Sequence, residues 1–263
     1  MPRARSRGRR RRVPVSGVDN HRMNVDGDGP AHPPGDRVTA DGPDALARRA
    51  VRLLGDRPRV LIGLAGSPGS GKTTLAAALA ERLGPAAVAL PMDGFHLANV
   101  TLDRLGRRDR KGAVDTFDGA GFAALLDRVT STTGETVYAP GFDRAVDEPV
   151  AGSIAIEPGH RIVLVEGNYL LVPDEPWARI RPLLAAAWFV GTPEDERLRR
   201  LVERHTRHGR TAEAARAWAR DVDGANADLI ESTRRRADLV VPGTAGAGSV
   251  GSGPRPRPAA PSP

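Results

Sequence analysis

Apolar residues of this chain form short continuous runs, separated by segments in which apolar positions recur every three or four residues. Continuous runs of this length are typical of strands buried on both faces, and the second spacing is typical of helices packed on a core. The runs predict core strands at residues 59–64, 86–90, 161–165, 186–190 and 239–241, with a shorter run at 136–139. The periodic segments predict helices at residues 44–54, 73–83, 119–129, 193–208 and 221–237.

This alternation of strands and helices predicts an α/β fold, in which a mainly parallel sheet carries helices on both faces as a three-layer sandwich. Residues 44–242 hold all of the predicted elements and suffice for one domain with a sizeable core. Residues 1–43 and 243–263 are rich in Pro, Gly, Arg and Ser and lack apolar periodicity. They are therefore predicted to be disordered tails.

The net positive charge of the chain comes from its first twelve residues. The formal net charge is +7, and residues 1–12 contain seven arginines and no acidic residue. The remainder is therefore neutral, and a nucleic-acid partner is not expected for the domain. The tail by itself has the composition of a segment that binds nucleic acid or an anionic surface, but a solvated charge run or a translation start at Met23 explains it as well.

Composition disfavours several classes of protein. The chain has no cysteine, which excludes disulfides, thiolate metal sites and cysteine nucleophiles. Its longest apolar runs have the length of strands, so no membrane span is expected. No apolar stretch follows the N-terminal arginines, and a secretory signal is therefore not supported. The expectation is a cytoplasmic protein without a membrane partner.

Residues 66–73 read Gly-Ser-Pro-Gly-Ser-Gly-Lys-Thr and lie between a predicted strand and a predicted helix. This is the Walker A pattern, in which backbone N–H groups at a helix N-terminus bind the phosphates of a nucleoside triphosphate. Lys72 is one of two lysines beside thirty-seven arginines, which indicates a position that needs a compact ammonium group. It would contact the β and γ phosphates, while the Thr73 hydroxyl would bind Mg2+. The predicted nucleotide-binding residues are Gly66, Ser67, Pro68, Gly69, Ser70, Gly71, Lys72, Thr73 and Thr74.

Two carboxylates follow predicted strands at the sheet edge where ligands bind. Asp93 comes after the strand at 86–90, and Glu166 comes directly after the strand at 161–165. Because the carboxyl ends of parallel strands meet at one edge, both side chains are expected beside Lys72. One carboxylate could accept the proton of an attacking hydroxyl, and the other could hold the metal or its water. The alternative is that either residue caps a helix or a turn.

Four motifs together resemble those of one kinase family. They are the loop at 66–73, Pro91-Met92-Asp93-Gly94-Phe95-His96, Arg110-Lys111-Gly112-Ala113 with Asp115-Thr116-Phe117-Asp118, and Val165-Glu166-Gly167-Asn168. In this order they are similar to the uridine kinase, phosphoribulokinase and pantothenate kinase superfamily of P-loop kinases. The resemblance implies a P-loop NTPase fold with a helical lid, and transfer of the γ-phosphoryl group of ATP, with Mg2+, to a hydroxyl of a small metabolite. It also implies that Asp93 is the general base and that Glu166 belongs to the Mg2+ shell.

The segment 195–210 is similar to the arginine-bearing lid of that family. Arg200 and Arg204 match the family's spacing best and lie four residues apart on one face of a predicted helix. Cations that approach on lid closure stabilise the charge of the transferring phosphoryl group and exclude water. Lys72, Asp93, Arg200 and Arg204 are therefore the predicted catalytic residues. The alternative is a solvated surface helix whose arginines pair with Asp195, Glu196 and Glu203.

The resemblance also implies contacts with the phosphate acceptor, although it does not select one acceptor. The predicted acceptor-binding residues are Asp93, His96, Lys111, Asp115, Tyr138 and Arg144. His96 stands where uridine kinases have a tyrosine, which resembles phosphoribulokinase, while the Arg-Lys-Gly run resembles pantothenate kinase. A nucleoside, pantothenate, a sugar and a sugar phosphate all stay open as acceptors. Packing within a loop is the alternative for Tyr138, and a homodimer is left open as well.

Two other functions of a P-loop protein stay open on the sequence. A regulatory switch would need specific guanine contacts, and the chain has no Asn-Lys-x-Asp run. An ATPase linked to nucleic acid would use the N-terminal arginines, but no basic face is evident in the neutral domain. ATP consumption that depends on a small hydroxyl compound distinguishes the kinase from both.

Overall fold

Five parallel strands form the central sheet of the computed structural model, which describes residues 42–207, 209 and 211–243. The strands in chain order are β1 (Val60–Ala65), β2 (Ala87–Pro91), β3 (Val137–Asp143), β4 (Glu148–Ile156), β5 (Ile162–Gly167), β6 (Ala186–Gly191) and β7 (Leu239–Pro242). The order in the sheet is β2-β5-β1-β6-β7, and all neighbouring pairs are parallel. β3 and β4 pair with each other in a separate antiparallel hairpin.

Helices cover both faces of this sheet. In chain order the helices of the described residues are α1 (Pro43–Leu54), α2 (Lys72–Leu83), α3 (Asn99–Leu105), α4 (Gly119–Ser131), α5 (Glu194–Arg207) and α6 (Ala212–Ser232). α1 and α2 pack on one face, where Leu75 shares a buried cluster with Ile62. α4 and α6 pack on the other face, where Phe122 and Ile230 share a second cluster with Leu61. Successive residues of β1 therefore enter opposite layers, and the predicted three-layer α/β fold is confirmed.

Local signals explain where several helices begin. α1 starts at Pro43, whose fixed φ suits the first helical position, and Gly55 follows its last residue. The carboxylate of Asp118 accepts a hydrogen bond from the N–H of Gly121 at 2.8 Å and so caps α4. Thr211 caps α6 in the same way. None of the described helices has the length and hydropathy needed to cross a membrane.

The structure corrects three expectations about secondary structure. The run predicted at 136–139 continues to Asp143 and pairs with β4, which the sequence analysis misses because most of its residues are polar or exposed. α3 is missed because only Leu102 of its seven residues is buried. α6 begins at Ala212 rather than at residue 221, since its first turns bury only alanines and show no strong apolar stripe. Of the predicted tails, residues 1–41 and 244–263 lie outside the described residues.

Candidate active site

The loop between β1 and α2 presents backbone N–H groups toward an open helix end. α2 begins at Lys72, and its N-cap residue Gly71 has a φ of 96°, a left-handed conformation that favours glycine. Within the described residues no side chain caps this helix end, so the N–H groups of the first turn are available to an anion. Ser70 Oγ is buried in the same loop and has no hydrogen-bond partner in the described part of the chain. These groups fit the phosphates of a nucleotide.

Lys72 is buried at the start of α2, and the pKa of its ammonium group is lowered. Its side-chain nitrogen Nζ donates to the carbonyl oxygen of Ser67 at 3.1 Å, and the residue is 7% exposed. Burial lowers the pKa of Lys72 to about 8, although the carboxylates of Glu166 and Asp93 oppose this shift. Arg204 adds to the lowering by charge repulsion. A bound triphosphate would add negative charge beside Lys72 and so stabilise the charged form of its side chain.

Glu166 lies at the centre of the site, because β5 runs between β1 and β2. It is aligned with Leu64 on one side and with Pro91 on the other. The residue is 6% exposed, and its Oε1 accepts a hydrogen bond from Thr73 Oγ1 at 2.8 Å. Burial raises the pKa of the Glu166 carboxyl, while the nearby Lys72 opposes this shift.

The pair of Thr73 and Glu166 fits a magnesium ion that is shared with phosphates. Mg2+ in nucleotide enzymes is bound by one or two protein oxygens and completes its shell with phosphate oxygens and water. Within the described residues there is no group of three or more His, Cys, Asp and Glu side chains that could hold a metal by itself. A hydroxyl and a carboxylate side by side at the end of the phosphate loop supply the oxygen ligands that such a shared ion needs.

Asp93 lies in a short 3-10 turn, Met92–Phe95, directly after β2. The neighbouring Gly94 permits the hairpin to approach this turn, because a Cβ atom on Gly94 would lie 2.1 Å from the carbonyl oxygen of Pro140. The Oδ2 atom of Asp93 forms an ion pair with Arg144 Nη2 at 3.3 Å, and the Asp93 side chain is 35% exposed. The carboxylate therefore faces the turn of the hairpin and can be reached by a ligand.

His96 forms an aromatic wall beside Asp93. Its ring lies 4.0 Å from the ring of Phe117 and 4.8 Å from that of Phe142, between the centroids. The Nδ1 atom lies 2.8 Å from the backbone oxygen of Asp93, which requires a proton on Nδ1. Burial lowers the pKa of His96, although the charge of Asp93 opposes this shift. A neutral imidazole is thus favoured on the acceptor side.

The predicted acceptor residue Lys111 is engaged within the protein. Its Nζ donates to Asn99 Oδ1 at 2.7 Å and to both the backbone oxygen and Oδ2 of Asp147, the latter at 3.0 Å. The ammonium also lies 5.0 Å from the centroid of the Phe142 ring. Three acceptors match the three protons of an ammonium group, so Lys111 connects α3, its own loop and the hairpin turn. A direct contact with the acceptor stays a prediction.

The other two predicted acceptor residues are Asp115 and Tyr138. The carboxylate of Asp115 accepts from Arg110 Nη1 at 2.7 Å and pairs with Arg107 Nε at 3.5 Å, which ties it into its own loop. Tyr138 stands on β3 and is 61% exposed. Their predicted contacts with the acceptor stay predictions.

The two predicted lid arginines on α5 have different surroundings. Arg200 Nη1 lies 3.4 Å from the backbone oxygen of Gly69 in the phosphate loop, and the same guanidinium pairs with Glu196. Arg204 is half-buried, and burial lowers its pKa, while the carboxylates of Asp223, Asp93 and Glu166 oppose that shift. Lys72, Asp93, Glu166, Arg197, Arg204 and Asp223 interact electrostatically, and we call them the charge cluster. Arg200 contacts the loop backbone.

A family model described as Phosphoribulokinase / Uridine kinase family matches residues 61–246. The chain belongs to this family. It is 38% identical over 209 residues to a protein of Schizosaccharomyces pombe (strain 972 / ATCC 24843) provisionally named a uridine kinase, with 75% of this chain and 89% of that protein covered. It is 32% identical over 197 residues to the protein YggC of Escherichia coli (strain K12), with 73% and 81% covered.

A solved kinase structure has the same fold as this chain. The crystal structure of a provisionally named fructose transport system kinase from Silicibacter sp. TM1040 is 38% identical in sequence, with a TM-score of 0.71. The similarity covers 76% of this chain and 98% of that chain. Family membership and these relatives make the protein an ATP-dependent kinase that transfers a phosphate to a hydroxyl group.

The sequence prediction for this kinase misses two residues of the charge cluster. Arg197 is 6% exposed, and its Nη1 atom is buried without a hydrogen-bond partner among the described residues. The spacing of Arg197, Arg200 and Arg204 along one helix face is a signal that could have included it. Asp223 on α6 is 7% exposed and accepts from His205 Nε2 at 2.8 Å. No local pattern marks Asp223, because only the packing of α6 on α5 brings it to the site.

Proposed function

We propose that this kinase uses Mg-ATP to phosphorylate a hydroxyl group of a small metabolite, with Asp93 as the general base. The observation that carries the proposal is the register of three adjacent strands. Glu166 aligns both with Leu64, just before the phosphate loop, and with Pro91, two residues before Asp93. The phosphate loop, the metal-side carboxylate and the base thus follow neighbouring strands at the carboxyl edge, where ligands bind in such sheets.

On the nucleotide side, the chain would bind and orient the triphosphate. The N–H groups of residues 66–73 and the ammonium of Lys72 would contact the β and γ phosphates. Thr73 and Glu166 would hold Mg2+, which supplies neutralisation of charge on the phosphates when it is bound. Bound phosphates would raise the lowered pKa of Lys72 again and keep its ammonium charged beside the γ phosphate.

On the acceptor side, Asp93 would accept the proton of the attacking hydroxyl. The hydroxyl oxygen forms a bond to the γ phosphorus, the bond between that phosphorus and the bridging oxygen breaks, and ADP leaves with the electron pair. The Asp93 carboxylate borders the hairpin and is partly exposed, so an acceptor held against the hairpin can reach it. The wall formed by His96 and Phe142 supports a flat or apolar face of that acceptor.

The lid helix would contribute two cations and one contact that fixes the loop. Arg197 and Arg204 both act electrostatically on Lys72, which lies beside the phosphates, so their guanidinium groups suit the charge that spreads over the transferring phosphoryl group. Arg200 would act mainly through the backbone oxygen of Gly69. This division refines the prediction that treats Arg200 and Arg204 alike.

The test is ADP formation by the purified protein with Mg-ATP and a panel of acceptors. The names of the relatives make uridine and fructose the first compounds, followed by other nucleosides, pantothenate and sugar phosphates. We expect one class to stimulate ADP formation, with the phosphorylated product identified by mass spectrometry, and we expect the Asp93→Asn variant to lack it. ATP binding without acceptor-dependent turnover, or stimulation by RNA or DNA, would favour a switch or an ATPase linked to nucleic acid.

A further inference from the structure

Arg144 is the cation that the hairpin turn presents to the catalytic base. It lies between β3 and β4, and its guanidinium contacts Asp93 Oδ2 at 3.3 Å while its side chain stays 52% exposed. Together with Phe142 it lines an open pocket of about 400 Å3 on the hairpin. A guanidinium has five N–H donors in a planar fork. The contact with Asp93 is long, and the exposure of the side chain leaves N–H groups of that fork open to a ligand or to solvent.

The turn that carries Arg144 is fixed on both flanks. Before it, Asp143 Oδ1 accepts from the N–H of Ala145 at 2.7 Å. After it, Asp147 is bonded to Lys111, and the carboxylate of Glu148 accepts from the N–H of Asn99 at 2.9 Å. The backbone at Arg144 is therefore held within reach of Asp93 by the bonds of the turn as well as by the ion pair.

The other cations near the acceptor side already have internal partners. Lys111 is bonded to Asn99 and Asp147, and the guanidinium groups of Arg107 and Arg110 share the carboxylate of Asp115. Arg144 differs from them because its partner is the general base itself. In the proposed reaction Asp93 has to contact the acceptor hydroxyl, so its pairing with Arg144 competes with its catalytic role. An exposed ion pair of this length is weak and is easily exchanged for another anion.

We propose that the acceptor carries an anionic group, a carboxylate or a phosphate monoester, in addition to the hydroxyl that is phosphorylated. The anion binds Arg144 through the planar fork and replaces Asp93 as its partner, which frees the carboxylate to contact the hydroxyl. Arg144 thereby couples recognition of the acceptor to release of the base. The inference rests on the proposed function and names the charge class of the acceptor of that same site.

The test compares acceptors that share a hydroxyl framework and differ in charge. Suitable sets are glycerol, glycerate and glycerol 3-phosphate; ribose, ribonate and ribose 5-phosphate; and pantothenol with pantothenate. We expect an anionic member to be preferred in kcat/KM by at least about tenfold, as a charge-assisted hydrogen bond implies. The carboxylate and phosphate members of the glycerol and ribose sets identify which anion is bound.

Variants at position 144 then connect this preference to the guanidinium. Arg144→Gln should raise the KM for the anionic acceptor at least about tenfold and remove the preference over the neutral one, with the KM for ATP unchanged. Arg144→Lys, which retains the charge, should keep part of the preference. Arg179→Gln removes another exposed arginine, outside the site, and should match the native protein.

Two outcomes overturn the inference while the proposed function stands. One is equal use of neutral and anionic acceptors. The other is a change in the KM for ATP rather than for the acceptor in Arg144→Gln, which would assign Arg144 to the nucleotide, since it also acts electrostatically on Glu166 and Arg204. The absence of ADP formation with every compound would overturn the proposed function and, with it, the inference.

Discussion

The nucleotide side of the site is built from backbone groups on buried strands, whereas the acceptor side is built from side chains that contact one another. The phosphate loop follows β1, all six residues of which are buried, and its binding groups are N–H groups at the start of α2. On the acceptor side, side-chain bonds of Lys111 and Glu148 join α3 to the loop around residue 111 and to the hairpin. The pair of Arg144 and Asp93 joins the hairpin to the turn Met92–Phe95.

The difference bears on which part of the site can change without loss of the fold. Backbone N–H groups bind any triphosphate in the same way, provided that glycine permits the loop conformation. A network of side chains can be exchanged residue by residue, so that the acceptor changes while the strands stay in place. We therefore expect the nucleotide side to determine the reaction and the acceptor side to determine the substrate. Four experiments test this division.

Removal of the loop lysine should disable the nucleotide side. In Lys72→Ala we expect kcat/KM to fall by a factor on the order of 1,000, because the ammonium that stabilises the γ phosphate is lost. ADP formation measures the effect, and circular dichroism checks that the variant is folded. Turnover within tenfold of the native protein would contradict the assignment of Lys72.

Removal of the base should disable the acceptor side only. In Asp93→Asn we expect kcat to fall by a factor on the order of 100 or more, because an amide cannot accept the hydroxyl proton. The Kd for ATP, measured by calorimetry, should stay close to the native value. If ATP binding weakens while kcat persists, Asp93 serves the nucleotide side and the division is wrong.

The lid helix should show which of its arginines face the reaction. Arg204→Gln should lower kcat by a factor on the order of 10 to 100, because a half-buried cation that interacts with the charges of Asp93 and Glu166 is removed. Arg199→Gln is the matched control on the same helix, because Arg199 is exposed. Equal effects of the two substitutions on kcat would contradict a specific role for Arg204.

Proton uptake should accompany nucleotide binding near pH 8. Because the pKa of Lys72 is lowered to about 8, about half of the ammonium groups are deprotonated at that pH in the free protein. Bound phosphates raise this pKa again, so ATP binding should take up about half a proton. Calorimetry in two buffers of different ionisation enthalpy measures the uptake.

The matched control for this measurement is Lys72→Met, which has no titrating group at position 72 and should bind without uptake. Equal uptake by the native protein and by this variant would show that another group titrates.

The elements that the sequence predicts well are those with a strong local signal. The five core strands, the Walker A loop and α1, α2 and α4 were within reach because continuous apolar runs, glycine spacing and helical periodicity are local properties. The prediction fails where stability comes from partners distant in the chain. β4 is largely exposed and is held by its pairing with β3, and α3 buries only Leu102.

Some residues of the site are also marked by a local signal in the sequence, and others are not. Strand-end position points to Asp93 and Glu166, since the parallel sheet brings such ends to one edge. The pairing of Asp223 with His205 and the bonds of Asn226 and Tyr169 to the carbonyl of Gly112 have no local signal. They arise because α6 and the segment after β5 pack against elements that are far away in sequence.

Local signals in the sequence suffice for the class of this protein: an α/β sheet, a phosphate loop after its first strand and carboxylates at the ends of two others. The fold was needed to show that Lys111 is bonded internally, that Arg144 pairs with Asp93 and that Arg204 interacts with the charges of Asp93, Glu166 and Asp223. Periodicity and motif spacing record backbone geometry, which is local. The charge state and the partners of a side chain depend on burial and on neighbours from other segments, which the fold alone brings together.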